Sequence, residues 1–254
     1  STQMKATGEV MAIDRSFESA LHKAVRSLEL GGNSLLWEDP SWVDQKIEDL
    51  PLHPTDLRLW AVFAALRKGA NINYLAQETH IDPWFLHGLQ RIASMYERLS
   101  KETLDTELLE EAKGLGVPDQ AIASLAGYEY EKIRQLRIES NILPVYKMVD
   151  TCAAEFEAVT TYFYSTYEQE NEAPPLEGEK ALVIGSGPIR IGQGIEFDYC
   201  SVHAAWALGS SGIKSILVNS NPETVSTDFD TSDRLYFEPL DEESIRDIVE
   251  NERL

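Results

Sequence analysis

The sequence predicts a mixed fold, in which an all-α helical domain is followed by an incomplete α/β domain with a doubly wound parallel sheet. Three observations predict it. Apolar residues recur at three- and four-residue steps through most of the first 140 positions, as on one face of a helix. After residue 180, short apolar runs alternate with helical segments. A stretch rich in Glu and Pro, residues 168–179, separates the two patterns and is predicted to be a linker.

The helical domain is predicted from periodicity and from residues favoured at helix ends. Its first helix follows Ser16, a good N-cap, and is ended by Gly31-Gly32. Another helix has Asp82 as its cap and Pro83 in its first position, where proline is favoured. The remaining helices are predicted over residues 55–69, 73–79, 106–113, 118–125 and 130–141. Because the connections are short, neighbouring helices are expected to pack as hairpins.

Residues 75–86 have the spacing of a helix-turn-helix, which raises DNA binding as an alternative. The second helix of that pair begins Pro-Trp-Phe-Leu, which offers apolar anchors rather than the Arg, Lys and Asn side chains that contact base edges. The pattern therefore favours a helical core or a protein interface.

The α/β domain is predicted from a change of period. Three short apolar runs, 180–184, 214–218 and 234–237, are typical of strands, and the first is predicted to be a buried parallel strand. Helices are predicted over 196–210 and 241–249. This order of elements is the opening of a doubly wound, Rossmann-like sheet.

A glycine-rich loop, residues 185–194, lies between the first strand and its helix, where dinucleotide-binding proteins place their phosphate loop. The dinucleotide fingerprint requires glycine where this sequence has Arg190, and an acid where the second strand ends in Asn219. A dinucleotide-dependent oxidoreductase is therefore the less favoured alternative. A wall without side chains leaves room for a small ligand or a passage, and Glu196 and Glu223 follow the ends of the first two strands. Solvated helix ends are the alternative role for these glutamates.

Composition narrows the classes of function. The chain has 254 residues, and 22 Lys and Arg against 43 Asp and Glu give a formal net charge of −21, which disfavours nucleic acid and anionic membranes as partners. Cys152 and Cys200 are expected to be packed thiols in a reducing compartment. The five histidines lack metal-ligand spacing. The sequence therefore predicts no catalytic, cofactor-binding or metal-binding residues.

Several long strings closely resemble the large subunit of carbamoyl-phosphate synthase. The most specific are VIGSGPIRIGQGIEFDYC and VNSNPETVSTDFDTSDRLYFEP. Together the matching strings cover residues 3–15, 144–156, 164–167, 183–200 and 218–239. The resemblance extends over essentially the whole chain.

The resemblance implies that the chain is an internal fragment of an ATP-dependent ligase of arginine or pyrimidine biosynthesis. That enzyme makes carbamoyl phosphate from bicarbonate, ammonia released from glutamine, and two ATP. Residues 1–30 would be the tail of the first ATP-grasp module, 31–165 the helical oligomerisation domain, 166–179 a linker, and 180–254 a truncated pre-ATP-grasp subdomain. ATP, Mg²⁺ and K⁺ are implied for the parent enzyme, with none bound by the fragment, which is expected to be inactive alone.

The resemblance also implies a role for four residues and a set of partners. Gly194, Glu196, Glu223 and Glu9 match positions that line or border the family's interior tunnel. The implied partners are the remainder of the large subunit, a glutaminase small subunit or domain, and further copies bound through the helical domain, in a cytoplasmic enzyme. A self-associating helical adaptor is the alternative function, with Trp60, Phe63, Trp84 and Phe85 as its contact residues.

Overall fold

A computed structural model describes residues 10–30, 34–150, 160–190 and 192–254. The chain divides into two compact units. The helical unit comprises residues 16–25 and 34–142. The sheet unit comprises the described residues before Ser16, residues 26–30 and Leu143–Leu254. A helical part followed by a mostly parallel sheet confirms the predicted fold class.

The helices lie where the apolar period and the capping residues predict them. Ser16 Oγ accepts a hydrogen bond from the Ser19 amide at 3.2 Å, and Asp82 Oδ1 accepts one from the Trp84 amide at 2.8 Å. The helices are α1 Phe17–Ser27, α2 Arg58–Arg67, α3 Ile72–Thr79, α4 Pro83–Lys101, α5 Thr106–Gly114, α6 Asp119–Ala126 and α7 Tyr130–Glu139. Among the described residues, none of the helices is long and apolar enough to cross a membrane.

The centre of the helical unit is α2, in which every residue from Trp60 to Leu66 is buried. Trp60 donates its indole N–H to the Ser34 carbonyl at 2.8 Å, and Phe63 packs edge-on against Tyr96. Trp60 and Phe63 are therefore core residues, and their prediction as contact residues for self-association is wrong. An apolar period marks the buried face of a helix as readily as an interface.

A group of buried charges joins the last three helices of this unit. Asp119 accepts hydrogen bonds from Lys113 Nζ at 2.9 Å and Arg137 Nε at 2.8 Å, and the three side chains are 0 to 1% exposed. Lys113 Nζ also reaches the Val117 carbonyl at 3.0 Å. These contacts neutralise the carboxylate inside the unit.

The sheet has five strands, not the three predicted. They are β1 Val145–Met148, β2 Tyr162–Thr166, β3 Lys180–Ile184, β4 Lys214–Asn219 and β5 Arg234–Phe237, in the spatial order β1-β2-β5-β4-β3. β1 and β2 are antiparallel, whereas the other pairs are parallel. The two extra strands are four and five residues long and carry no flanking glycine signal, so their pattern is weak.

The three predicted strands differ in burial. β4 and β5 are interior and almost fully buried, whereas β3 pairs only with β4 at the edge of the sheet. β3 is parallel, as predicted, but its side chains are only half-buried and Ile184 is 54% exposed. The prediction of a buried strand is therefore wrong for β3, because an apolar run does not reveal its place in the sheet.

Both faces of the sheet are covered. One face packs Ile216, Val218 and Tyr236 against Ile245 and Ile248 of the last helix, α9 Glu242–Glu252. The 168–179 segment contributes fully buried Ala173 to the same cluster, so it packs onto the sheet rather than linking freely. On the other face, Met11 and Ile13 pack against Leu217 and Phe237, and α8 Tyr199–Ser210 contacts β3 and β4.

Candidate functional site

Two connections meet at the carboxyl ends of β3 and β4. The first is the glycine loop, residues 185–194, which leads into a 3₁₀ turn, Ile195–Asp198, and then α8. The predicted helix over 196–210 therefore begins three residues later, at Tyr199. The second connection, residues 219–227, is named here the asparagine turn. The carboxyl edge of parallel strands is where open α/β sheets bind ligands.

Three amides of the glycine loop donate to side chains of the protein itself. The Gly187 amide donates to Asn219 Oδ1 at 3.1 Å, the Arg190 amide to Gln193 Oε1 at 2.8 Å, and the Gly194 amide to Glu196 Oε1 at 3.2 Å. A phosphate loop instead directs such amides at its ligand. This geometry argues against a pyrophosphate site, in line with the missing dinucleotide fingerprint.

Glycine is required in this loop by close approach. A Cβ on Gly185 would lie 2.6 Å from Asn219 Cγ. Gly187 has φ of +66°, and a Cβ there would lie 2.5 Å from Glu29 Oε1. Arg190 of the same loop forms an ion pair with Glu29. Gly185 and Gly187 therefore allow the loop to pack closely against its neighbours.

Asn219 is the buried centre of the site. Its Oδ1 accepts from the Gly187 amide and, at 2.9 Å, from the Ser220 amide. Its Nδ2 donates to Ser226 Oγ at 3.1 Å and to Thr224 Oγ1 at 3.3 Å. The Asn219 side chain is 0% exposed, so these partners replace water on both ends of the amide. One side chain thus connects the glycine loop to the asparagine turn.

Asp198 makes a second connection between the same loops. Its Oδ1 accepts from Ser186 Oγ at 3.1 Å, and its Oδ2 accepts from the Ser226 amide at 2.7 Å. Asp198 is 3% exposed and ends the 3₁₀ turn that carries Glu196. A third connection runs from Asn221 Nδ2 to the Gly187 carbonyl, 3.3 Å away.

The predicted tunnel residues fall into three places. Gly194 and Glu196 are together, and a Cβ on Gly194 would collide with the Glu196 carboxylate. Glu223 is exposed in the asparagine turn, where its amide donates to Asn221 Oδ1 at 3.0 Å. Glu9 lies outside the described residues. The structure therefore places Gly194 and Glu196 in contact and Glu223 on the asparagine turn.

Sequence reasoning missed the residues that hold this site together. In the sequence, Asn219 is noticed only because the dinucleotide fingerprint requires an acid at that position, and no role is predicted for Asp198. The available signal is the density of Asn, Ser and Thr in 219–227, residue types whose short polar side chains bond nearby backbone. Among the described residues, no group of three or more His, Cys, Asp or Glu is placed to hold a metal ion.

Fold and site together define a chain with a helical unit followed by a Rossmann-like, mostly parallel sheet unit, whose carboxyl edge carries two connected loops. Two family models describe these parts: "Carbamoyl-phosphate synthetase large chain, oligomerisation domain" matches residues 9–141, and "Carbamoyl phosphate synthase preATP-grasp domain" matches residues 177–254. The chain belongs to the carbamoyl phosphate synthase large chain family.

Relatives match along almost the whole chain. The carbamoyl phosphate synthase large chain of Thermomicrobium roseum is 58% identical over 252 residues, covering 99% of this chain and 23% of the relative. That of Thermoanaerobacter sp. is 54% identical over 254 residues, covering 99% and 24%. That of Methanothermobacter thermautotrophicus is 51% identical over 252 residues, covering 99% and 23%. The chain thus spans about a quarter of the length of these relatives.

Proposed function

We propose that this chain acts within a carbamoyl phosphate synthase large chain, an ATP-dependent ligase that forms carbamoyl phosphate from bicarbonate, ammonia and two ATP. The observation that carries the proposal is the 58% identity to the Thermomicrobium roseum large chain over 99% of this chain. ATP, Mg²⁺ and K⁺ would act elsewhere in the full-length protein. The remainder of the large chain and a glutaminase would be its partners, in the cytoplasm.

Within that enzyme, the glycine loop and the asparagine turn would form part of the wall of a passage for ammonia or carbamate. Gly194 leaves its stretch of wall without a side chain, and Glu196 and Glu223 place carboxylates on the two connections. Carboxylates accept hydrogen bonds from the N–H groups of such small molecules. The Gly187 and Arg190 amides donate to side chains of the protein, which suits the wall of a passage better than a phosphate-binding loop.

The proposed passage is tested by a substitution that would place a large side chain in it. In the full-length enzyme, Gly194→Phe should leave bicarbonate-dependent ATP hydrolysis at the first site intact while carbamoyl phosphate formation falls about tenfold or more. Gly209→Phe is the matched control, because a Cβ at Gly209 of α8 has no neighbour within 4 Å. Normal product yield in Gly194→Phe would refute the passage.

The 254-residue chain alone is expected to make no carbamoyl phosphate, because it spans about a quarter of the length of its relatives and the ATP-grasp modules would lie in the rest of the large chain. The measurement is ATP-dependent product formation by the purified chain with bicarbonate and ammonia. Product formation above that of a heat-denatured sample would overturn this expectation.

Self-association is the second proposed function, and the description of the matched family model as an oligomerisation domain favours it. Trp84 and Phe85 at the start of α4 are 58% and 45% exposed and pack with Phe17, with ring centroids 5.0 to 5.5 Å apart. Their exposed aromatic area suits a contact between copies.

Sedimentation velocity tests this contact. Trp84→Glu should shift the chain towards monomer. Val43→Glu is the control, because it alters an apolar side chain that is 60% exposed elsewhere, and it should cause no shift. A concentration-independent monomer in the unaltered chain would contradict self-association.

A further inference from the structure

Buried side chains, rather than backbone pairing, connect the two walls of the proposed passage. We propose that Asp198 and Asn219 are positioning residues that set the separation between Glu196 on one connection and Glu223 on the other. The inference rests on the proposed passage and extends it to two buried residues.

Asp198 acts on Glu196 through the backbone. Both lie in the single 3₁₀ turn Ile195–Asp198, so a displacement of Asp198 moves Glu196 with it. Each carboxylate oxygen of Asp198 has a different loop as its partner, Ser186 on the glycine loop and the Ser226 amide on the asparagine turn. A hydrogen bond from a backbone amide to a buried carboxylate is among the stronger ones in proteins. Asp198 therefore fixes the turn to both connections at once.

Asn219 is suited to its place because an amide both accepts and donates. Its oxygen accepts from the Gly187 and Ser220 amides, and its nitrogen donates to the Thr224 and Ser226 hydroxyls. A carboxylate at this position could accept from the amides but could not donate. The asparagine that replaces the acid of dinucleotide-binding folds is thus a device for joining two loops.

The hydrogen bonds of Asp198 and Asn219 hold the two loops together, and the pairing of the sheet does not depend on them. The β3–β4 and β4–β5 pairings are formed by backbone groups, including the backbone of Asn219 beside Phe237, and do not depend on the Asp198 or Asn219 side chains. The Gly187 and Ser226 amides lie outside those ladders. Loss of either side chain should therefore let the loops separate while the sheet remains paired.

The test uses the full-length enzyme and the number of ATP molecules hydrolysed per carbamoyl phosphate formed. Asp198→Ala and Asn219→Ser should each raise that ratio about threefold or more. Asp198→Asn should restore a ratio near that of the unaltered enzyme, because Asn Oδ1 can still accept from the Ser226 amide while its Nδ2 donates to the Ser186 hydroxyl. Asp105→Ala is the control: it removes the hydrogen bond of 2.9 Å that the Leu108 amide donates to Asp105 Oδ1 at the start of α5, in the helical unit. It should leave the ratio unchanged.

Loss of fold alone lowers ATP hydrolysis and product together, so it does not raise the ratio. Unchanged ratios in folded Asp198→Ala and Asn219→Ser overturn the inference. If Gly194→Phe uncouples the enzyme while these two variants do not, only the positioning role fails. If Gly194→Phe also leaves the ratio unchanged, the passage fails with it.

A measurement on the unaltered 254-residue chain decides the case in which both variants fail to fold. Amide hydrogen exchange at Gly187 and Ser226 should be slowed to within about tenfold of the β4 amides, since both groups would open only with the network. Free exchange at these two amides beside protected β4 amides would show that the loops are not held and would overturn the inference.

Discussion

The two units use buried polar groups in different ways. In the helical unit, Asp119 is enclosed by Lys113 and Arg137, and the opposite charges are satisfied within the helix packing. At the carboxyl edge of the sheet, the buried groups centre on Asn219 and Asp198 and bond outward to loops. The Asp119 network therefore fixes helices to one another, whereas the Asn219 and Asp198 network fixes the glycine loop to the asparagine turn.

The largest expected effect tests the helical network. Asp119→Ala should lower the free energy of unfolding by about 3–5 kcal/mol, because it leaves two cations buried without their shared carboxylate. Urea unfolding followed by circular dichroism measures it. A loss below about 1 kcal/mol would mean that the charges are solvated and that the contrast with the sheet edge is unfounded.

Replacing a buried carboxylate in the sheet unit should also lower the free energy of unfolding. The result would show that the cost depends on the buried charge and not on the unit in which it lies. Glu252 of α9 is 0% exposed and accepts from Arg234 Nη1 and Tyr236 Oη, each at 2.5 Å. Glu252→Gln should lower the free energy of unfolding by about 1.5–3 kcal/mol, because hydrogen bonds to a charged group are lost at nearly constant shape. Urea unfolding again measures the change, and an unaltered midpoint would contradict it.

A partly exposed pair should give a smaller, pH-dependent effect. Asp241 caps α9 and accepts from Arg26 Nε at 2.5 Å and from Arg26 Nη2 at 2.7 Å. Burial alone would raise the pKa of Asp241, but the Arg26 guanidinium outweighs it and holds that pKa below its ordinary value. The unfolded chain therefore binds the proton more readily. The stability from this pair is present above about pH 4 and is lost as pH falls through the lower pKa of the folded state.

Asp241→Asn should remove that part of the acid dependence and leave other carboxylates to titrate. The measurement compares thermal unfolding of both chains at pH values above and below the ordinary aspartate pKa. The difference between the two chains should narrow as pH falls. A difference that widens in acid would contradict the lowered pKa of Asp241.

The smallest expected effect is at an exposed cap. Asp105→Ala should cost about 1 kcal/mol, since it removes a single N-cap hydrogen bond from α5. Urea unfolding measures this loss, and a cost equal to that of Asp119→Ala would erase the distinction between surface caps and buried charges.

Sequence predicted what depends on neighbours along the chain. Strands β3 and β5 match their predicted bounds, and Asp82 and Ser16 cap the helices expected of them. Local sterics and capping act within four residues, so the sequence displays them.

Sequence did not predict what depends on distant partners. Asn219 meets Gly187 across 32 residues, and Asp198 meets Ser226 across 28. Met11 reaches the sheet through the Ser220 carbonyl, 2.8 Å from its amide, although more than 200 residues separate the two. Similarly, β1 and β2 become strands because they pair with each other and with β5. A short polar side chain has many possible partners, and the fold selects among them.

The proposed passage is best tested by the number of ATP molecules hydrolysed per carbamoyl phosphate formed in full-length Gly194→Phe, measured beside Gly209→Phe and Asp105→Ala. We expect a several-fold rise in Gly194→Phe alone, because the added ring would fill the space beside the Glu196 carboxylate. A ratio equal to that of the unaltered enzyme in Gly194→Phe would contradict the passage and the role assigned to the sheet edge.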